Sequence, residues 1–138
     1  MSQGAGLKLF LAEVEQFIKD NAANPALAEF LPVLGAKASE WGKLTVDVLT
    51  RAAGNPEELG AASNDYLFYS GYVVLAYWWA RSVAATATSS QTAAFKQAKL
   101  ETARFYYARI LPRTLGHAAG IAAGADSLMA MESVRFGD

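Results

Sequence analysis

No residue between Asp65 and Arg81 carries a formal charge, and the stretch between them is dense in aromatic and aliphatic side chains. Wound as a helix, residues 66–80 place large side chains on every side, with one stripe of Tyr66, Tyr69, Val73 and Tyr77 and another of Leu67, Val74 and Trp78. A helix that is apolar all round either spans a membrane or lies at the centre of a soluble bundle. At about 1.5 Å per residue the stretch reaches roughly 22 Å, which is short of the roughly 30 Å hydrocarbon core of a bilayer. We therefore predict no membrane span but a buried helix around which the other helices pack.

The composition restricts the class of protein. The 138 residues suit a single domain, and a hydrophobic fraction of 53% excludes an intrinsically disordered chain. Because 12 Lys and Arg residues oppose 13 Asp and Glu residues, no net field attracts nucleic acid or an anionic membrane. The absence of cysteine excludes disulfides, thiolate catalysis and zinc–thiolate sites. Glu13 and Glu15 interrupt the apolar N-terminal residues, unlike a signal peptide, so we expect a soluble, cytoplasmic protein.

Helical spacing of apolar residues continues before the central stretch. The first predicted helix begins at Leu7, after a tail or linker remnant over residues 1–6. Asn24 and Pro25 are typical of the N-cap and first residue of a second helix. This helix is predicted to end at Gly54 and to be kinked or briefly broken at Pro32, because proline lacks a backbone donor.

The second half of the chain continues the helical pattern. A short acidic turn or helix at Glu57 and Glu58 is predicted before the buried helix, which then begins at one of three candidate caps, Ser63, Asn64 or Asp65. A fourth helix starts near Gln91, and Pro112 either kinks it or opens a fifth. The fold class predicted is all-α: an antiparallel four-helix bundle over residues 7–131 with a kinked or broken last helix, followed by a frayed tail over residues 132–138.

The sequence offers little catalytic chemistry. His117 is the only histidine, and no HExxH motif or pair of Glu-x-x-His units accompanies it, so no metal site is predicted. The helix dipole explains the acidic pair Glu57 and Glu58 without an acid–base role, and no serine or threonine has a base nearby. One set of aromatic residues either lines a flavin or acyl pocket or forms core, and their helical spacing favours core: Tyr77, Trp78, Trp79, Phe105, Tyr106 and Tyr107.

Two motifs near the C-terminus carry a family resemblance. They are the run AKLETARFYYARILP over residues 98–112 and the later GADSLMAM over residues 124–131. With the segment around them, they resemble the end of the long bacterial acyl-CoA dehydrogenases, which carry an extra helical domain after the catalytic core. This is the acetyl-CoA dehydrogenase-like C-terminal domain. The Trp41 helix and the aromatic helix fit the same domain in order and spacing, so the resemblance spans about residues 7–131.

The resemblance implies an accessory role and no catalysis by this chain alone. In that family the flavin, the acyl-CoA and the catalytic glutamate belong to the preceding domains, so no catalytic, FAD-binding or metal-binding residue is carried over. It also implies an excised domain, or a chain without its enzyme core, whose parent is an FAD-dependent oxidoreductase of fatty acid metabolism. The expected partner is the parent acyl-CoA dehydrogenase core or a dimer mate. The alternative is a free-standing helical module that binds an apolar ligand or forms a homodimer.

Three glycines recur every four residues near the C-terminus, at Gly116, Gly120 and Gly124. Each costs a helix about 1 kcal/mol relative to alanine, so three in a row require a reason. Their spacing keeps them on nearly one face, where another backbone can approach closely. That backbone belongs either to an internal helix or to a docking partner. The hypothesis we put forward is docking, with Arg113 and His117 at the rim of the contact.

Overall fold

The computed structural model describes the backbone of residues 2–129 and the side chains of residues 4–127. Within this part of the chain every regular element is helical, as predicted. The α-helices are α1 (Ser2–Asp20), α2 (Leu31–Gly54), α3 (Glu57–Ala87), α4 (Ala93–Phe105), α5 (Thr114–Ala123) and α6 (Asp126–Met129). Residues 2–6, predicted as a tail or linker remnant, belong to α1, while the predicted frayed segment 132–138 lies outside the described residues.

α3 is the helix on which the others pack. It contacts α2, α4 and α5, and its fully buried face includes Tyr69, Val73, Ala76, Tyr77 and Ala80. Residues of this face recur at intervals of three and four, which is the period of a helix side. The two alanines let neighbouring helices approach closely, while the tyrosines fill the wider spaces. The same face reaches all three apolar clusters of the domain through different residues.

The hydroxyl groups of the core tyrosines donate hydrogen bonds to acceptors at the edge of the core. Tyr77 donates to Glu13 Oε2 of α1 at 2.6 Å, and Tyr69 donates to Glu40 of α2. From the turn after α4, Tyr106 and Tyr107 donate to the α3 carbonyls of Tyr72 and Ala76 at 2.6 and 2.7 Å. Because a buried hydroxyl without a partner is costly, these bonds restrict how each helix sits on α3.

One face of α3 is exposed, and the prediction of burial on all sides was wrong. Leu67, Phe68, Leu75 and Trp78 are between 50% and 68% exposed. They lie opposite the buried face, since at 3.6 residues per turn they fall about half a turn around the helix from Tyr69, Val73 and Tyr77. Of the two stripes in the sequence, the one with Tyr69, Val73 and Tyr77 is therefore core, whereas Leu67 and Trp78 of the other face solvent.

Local capping explains where the helices begin. Asn24 Oδ1 accepts the Ala26 N–H at 3.0 Å, but it caps only a 3-10 turn over Pro25–Leu27, and α2 itself begins at Leu31 with Pro32 in its first turn. Proline is tolerated there because its missing donor would have no helical partner. Thr92 caps α4 by accepting the Phe95 N–H at 3.1 Å.

Two further boundaries differ from or refine the predictions. α3 runs without interruption from Glu57, so the prediction of a separate acidic turn or short helix before it was wrong. The reason is tertiary: Glu58 is buried and accepts the Ala125 N–H at 3.0 Å, which fixes the first turn of α3 against the end of α5. The predicted break at Pro112 is confirmed, since a π-helical turn over Tyr106–Ile110 and a 3-10 turn over Leu111–Arg113 separate α4 from α5.

From the burial of these tyrosines we predict that the domain loses stability in alkaline solution. Burial raises the pKa of Tyr69, Tyr106 and Tyr107 above the ordinary value of about 10, and the neighbouring Glu40 carboxylate adds to the rise at Tyr69. The unfolded chain therefore releases these protons at lower pH than the folded chain does. Their contribution to stability is intact below pH of about 10 and is lost as the pH rises through the raised folded-state values.

Thermal unfolding measured at increasing pH checks this expectation. The melting temperature should fall steeply above pH of about 10, and Tyr69→Phe should make that fall shallower while lowering stability near neutrality by about 1 kcal/mol. A melting temperature that is level through the alkaline range, or a titration of all tyrosines at the ordinary pKa in the folded protein, would contradict it.

Candidate interaction surface

His117 joins α5 to α3. Its Nδ1 lies 2.8 Å from Asp65 Oδ1. Its ring stacks on Phe68, with centroids 5.3 Å apart and planes inclined by 15°, and on Tyr72 at 5.7 Å and 28°. The imidazole thus packs on two aromatic rings and is held at one nitrogen by a carboxylate. One of its stacking partners, Phe68, belongs to the exposed face of α3, so the predicted rim residue borders that face.

The three glycines of the predicted docking face occupy three different environments. A Cβ atom on Gly116 would meet nothing, whereas one on Gly120 would overlap the Asp65 carboxylate. Gly124 follows the end of α5 with φ of 74°, a conformation that favours glycine. Gly116 and the exposed Arg113 therefore face open space, while Gly120 is pressed against α3. Docking at Arg113, Gly116, His117, Gly120 and Gly124 stays a prediction, and the accessible part of that face lies around Gly116.

A partly buried polar contact holds the end of α5 beside Gly124. Arg51 Nη2 donates to the Ile121 carbonyl at 2.8 Å, and Arg51 Nη1 lies 3.7 Å from Glu58 Oε2. A cation is favourable at this position because the carbonyls at a helix C-terminus carry partial negative charge. Gly124 lies against both side chains, so this glycine serves internal packing.

The exposed face of α3 forms a continuous apolar surface. Its members are Leu67, Phe68, Gly71, Leu75 and Trp78, which we call the α3 stripe. A Cβ atom on Gly71 would meet nothing within 4 Å, so internal packing does not require glycine there. Contiguous exposed apolar surface of this kind commonly marks a site of protein contact. The sequence showed the apolar residues, but uniform apolarity gave no sign of which side would remain open.

The aromatic residues considered for a flavin or acyl pocket do not converge on one cavity. Tyr77 and Tyr106 are buried in the core, whereas Trp78 and Phe105 are exposed. Within the described residues no group of His, Asp or Glu side chains is arranged to hold a metal ion. Over the same residues no helix is both long and apolar enough to span a bilayer.

These features describe a class of small all-helical domains in which a central helix packs on one side and leaves an apolar stripe on the other. The family model described as acetyl-CoA dehydrogenase C-terminal like matches residues 10–132. The chain therefore belongs to this family, which confirms the resemblance drawn from the two C-terminal motifs. Membership supports an accessory domain of an acyl-CoA dehydrogenase-like protein. A comparison with curated proteins gave no match.

Leucine substitutions at two glycines test the environments around α5. Gly120→Leu should overlap the Asp65 carboxylate, displace it from His117 and lower stability by about 1–3 kcal/mol. Gly116→Leu, the matched control one helical turn earlier, should leave the melting temperature unchanged or higher, because leucine is the better helix former. Equal melting temperatures of the two variants in the isolated domain would contradict the internal placement of Gly120.

Proposed function

We propose that this domain is a structural accessory domain of an FAD-dependent acyl-CoA dehydrogenase and has no catalytic activity alone. Its partner is the dehydrogenase core of the parent enzyme or that of a dimer mate. The flavin and the acyl thioester belong to that core, and this domain contributes to assembly. Family membership over residues 10–132 supports the association with this class of enzyme.

The α3 stripe is the observation that carries the assembly role. From Leu67 to Trp78 it extends roughly 16 Å at about 1.5 Å per residue, and it has no charged member. Covering apolar surface gains about 25 cal/mol per Å². Contacts between domains of one protein commonly bury about 600–1,500 Å², so a partner that covers the stripe must also reach its borders.

The border on the α5 side offers polar contacts. Arg113 is exposed, and the His117–Asp65 pair is partly accessible. Gly116 has no side chain, so a partner can approach the backbone of α5 there. An apolar centre with a polar rim is the usual arrangement of a protein interface. We therefore infer that the predicted docking residues around Gly116 and the α3 stripe form one continuous docking surface.

We also infer the finer architecture and location. The short connections between α2 and α3 and between α3 and α4, over residues 55–56 and 88–92, favour antiparallel packing of the long helices in a four-helix bundle. The lack of cysteine and the association with this class of enzyme favour a cytoplasmic location.

Variants of the α3 stripe test the docking role. Trp78→Asp and Gly71→Leu should each weaken association with the acyl-CoA dehydrogenase core at least tenfold, the first by placing a charge in the contact and the second by filling its centre. Association is measured by calorimetric titration of the domain into the core. Leu9→Asp, at a residue of α1 that is 75% exposed, is the matched control and should bind like the unaltered domain.

Thermal unfolding of the same variants separates docking from folding. Gly71→Leu should melt no lower than the unaltered domain, because the site is open and leucine is the better helix former. If both stripe variants bind the core as tightly as Leu9→Asp does, the stripe is not the docking surface and the proposal fails.

A further inference from the structure

Two neighbouring tryptophans at the later end of the α3 stripe each lie under a cation. Arg81 Cζ is 5.3 Å from the centroid of the Trp78 ring, and Lys99 Nζ of α4 is 5.9 Å from the centroid of the Trp79 ring. At about 100° per residue, Arg81 lies about 60° to one side of Trp78 around the helix, and Trp79 lies about 100° to the other side. Arg81 and Lys99 therefore border the stripe on opposite flanks.

A third cation, Arg113, borders the same end of the stripe from the α5 side. α5 runs antiparallel to α3, because His117 stacks on Tyr72 whereas Ala125, just beyond α5, bonds to Glu58 in the first turn of α3. Arg113 precedes His117 by four residues, which is about one helical turn, and therefore lies on the same side of α5. It is exposed, and it lies level with the part of α3 that follows Tyr72, which is the later half of the stripe.

Two of these cations have no carboxylate partner among the described residues. They are Lys99 and Arg113, whereas Arg81 lies 3.7 Å from Glu13. The Lys99 ammonium lies against aromatic side chains instead, since it is also 5.5 Å from the centroid of the Phe95 ring. Such contacts hold a cation in place but do not neutralise its charge. The border of the later half of the stripe is therefore positively charged.

The earlier end of the stripe has a different border. Asp65 lies there, and the Nδ1 atom of His117 is 2.8 Å from its carboxylate. Together the two side chains carry no net positive charge in either form of the imidazole. The charge at the border thus differs along the stripe and is positive near Leu75 and Trp78. A partner that carries carboxylates is attracted to one end and is oriented by that attraction.

The distribution of charge also indicates the class of partner. The chain as a whole has 12 Lys and Arg residues against 13 Asp and Glu residues, so it has no general attraction for a polyanion or an anionic membrane. The cations instead border one end of an uncharged apolar surface. The complementary surface has an apolar centre and carboxylates at its rim, which is the arrangement found in protein interfaces.

We propose that the surface of the dehydrogenase core that docks on the α3 stripe carries carboxylates at the Trp78 end, where they pair with Lys99, Arg113 and Arg81. The proposal rests on docking through the α3 stripe, and it adds the charge and the orientation of the partner. Charges at the rim of an interface act mainly on the rate of association, so this rate is the quantity to measure.

Stopped-flow mixing of the domain with the dehydrogenase core measures that rate. Raising NaCl from about 50 to about 500 mM should slow association of the unaltered domain roughly tenfold or more, because salt screens the attraction. Lys99→Gln and Arg113→Gln should each slow association about threefold at the lower salt concentration and reduce its dependence on salt. Lys43→Gln, at an exposed lysine of α2, is the matched control and should associate like the unaltered domain.

The possible outcomes separate this proposal from docking itself. Arg113→Gln changes an exposed side chain and should melt like the unaltered domain, so a slower association of this variant reports on docking and not on folding. If Trp78→Asp weakens binding but neither salt nor the two glutamine substitutions change the association rate, docking stands and this proposal is overturned. If the unaltered domain does not bind the core, both are overturned. This proposal also fails if the domain binds vesicles of anionic phospholipid, or a second copy of itself, more tightly than the core and loses that binding in the same variants.

Discussion

The domain depends on the packing of other helices on one face of α3. This face consists of Tyr69, Val73, Ala76, Tyr77 and Ala80. This face contributes to the apolar clusters of the domain, and α2, α4 and α5 all contact α3. The buried hydroxyls add direction to an otherwise non-directional apolar contact, because each needs a particular acceptor. Glu13 and Glu40 supply two of these acceptors from α1 and α2.

The burial of one face leaves the other face available for function. α3 is apolar on both sides, yet only one side is covered by the described residues. An uncharged exposed stripe is unfavourable for an isolated domain and reasonable for one that packs against a larger enzyme. The Phe68–His117 stack then connects the α3 stripe to α5.

Local patterns in the sequence predicted the helical class, the start of α4 near Gln91 and the break at Pro112, because each depends on neighbours in the chain. Asn24 is a cap as predicted, but of a 3-10 turn and not of α2. The family followed from packing motifs. The exposed side of α3 could not be predicted, since an apolar residue looks the same in sequence whether it is covered or not. The Gly120 contact with Asp65 and the bond from Ala125 to Glu58 join residues far apart in sequence, so spacing alone gave no sign of either.

Equilibrium unfolding of two aspartate variants, two residues apart on α3, tests the one-sided burial of this helix most directly. Val73 is fully buried and Leu75 is half exposed. Val73→Asp should cost several kcal/mol of a total stability of about 5–15 kcal/mol and leave the domain unfolded or nearly so. Leu75→Asp should change the free energy of unfolding by about 0.5 kcal/mol or less. Similar losses in both variants, or a near-native stability of Val73→Asp, would contradict the account.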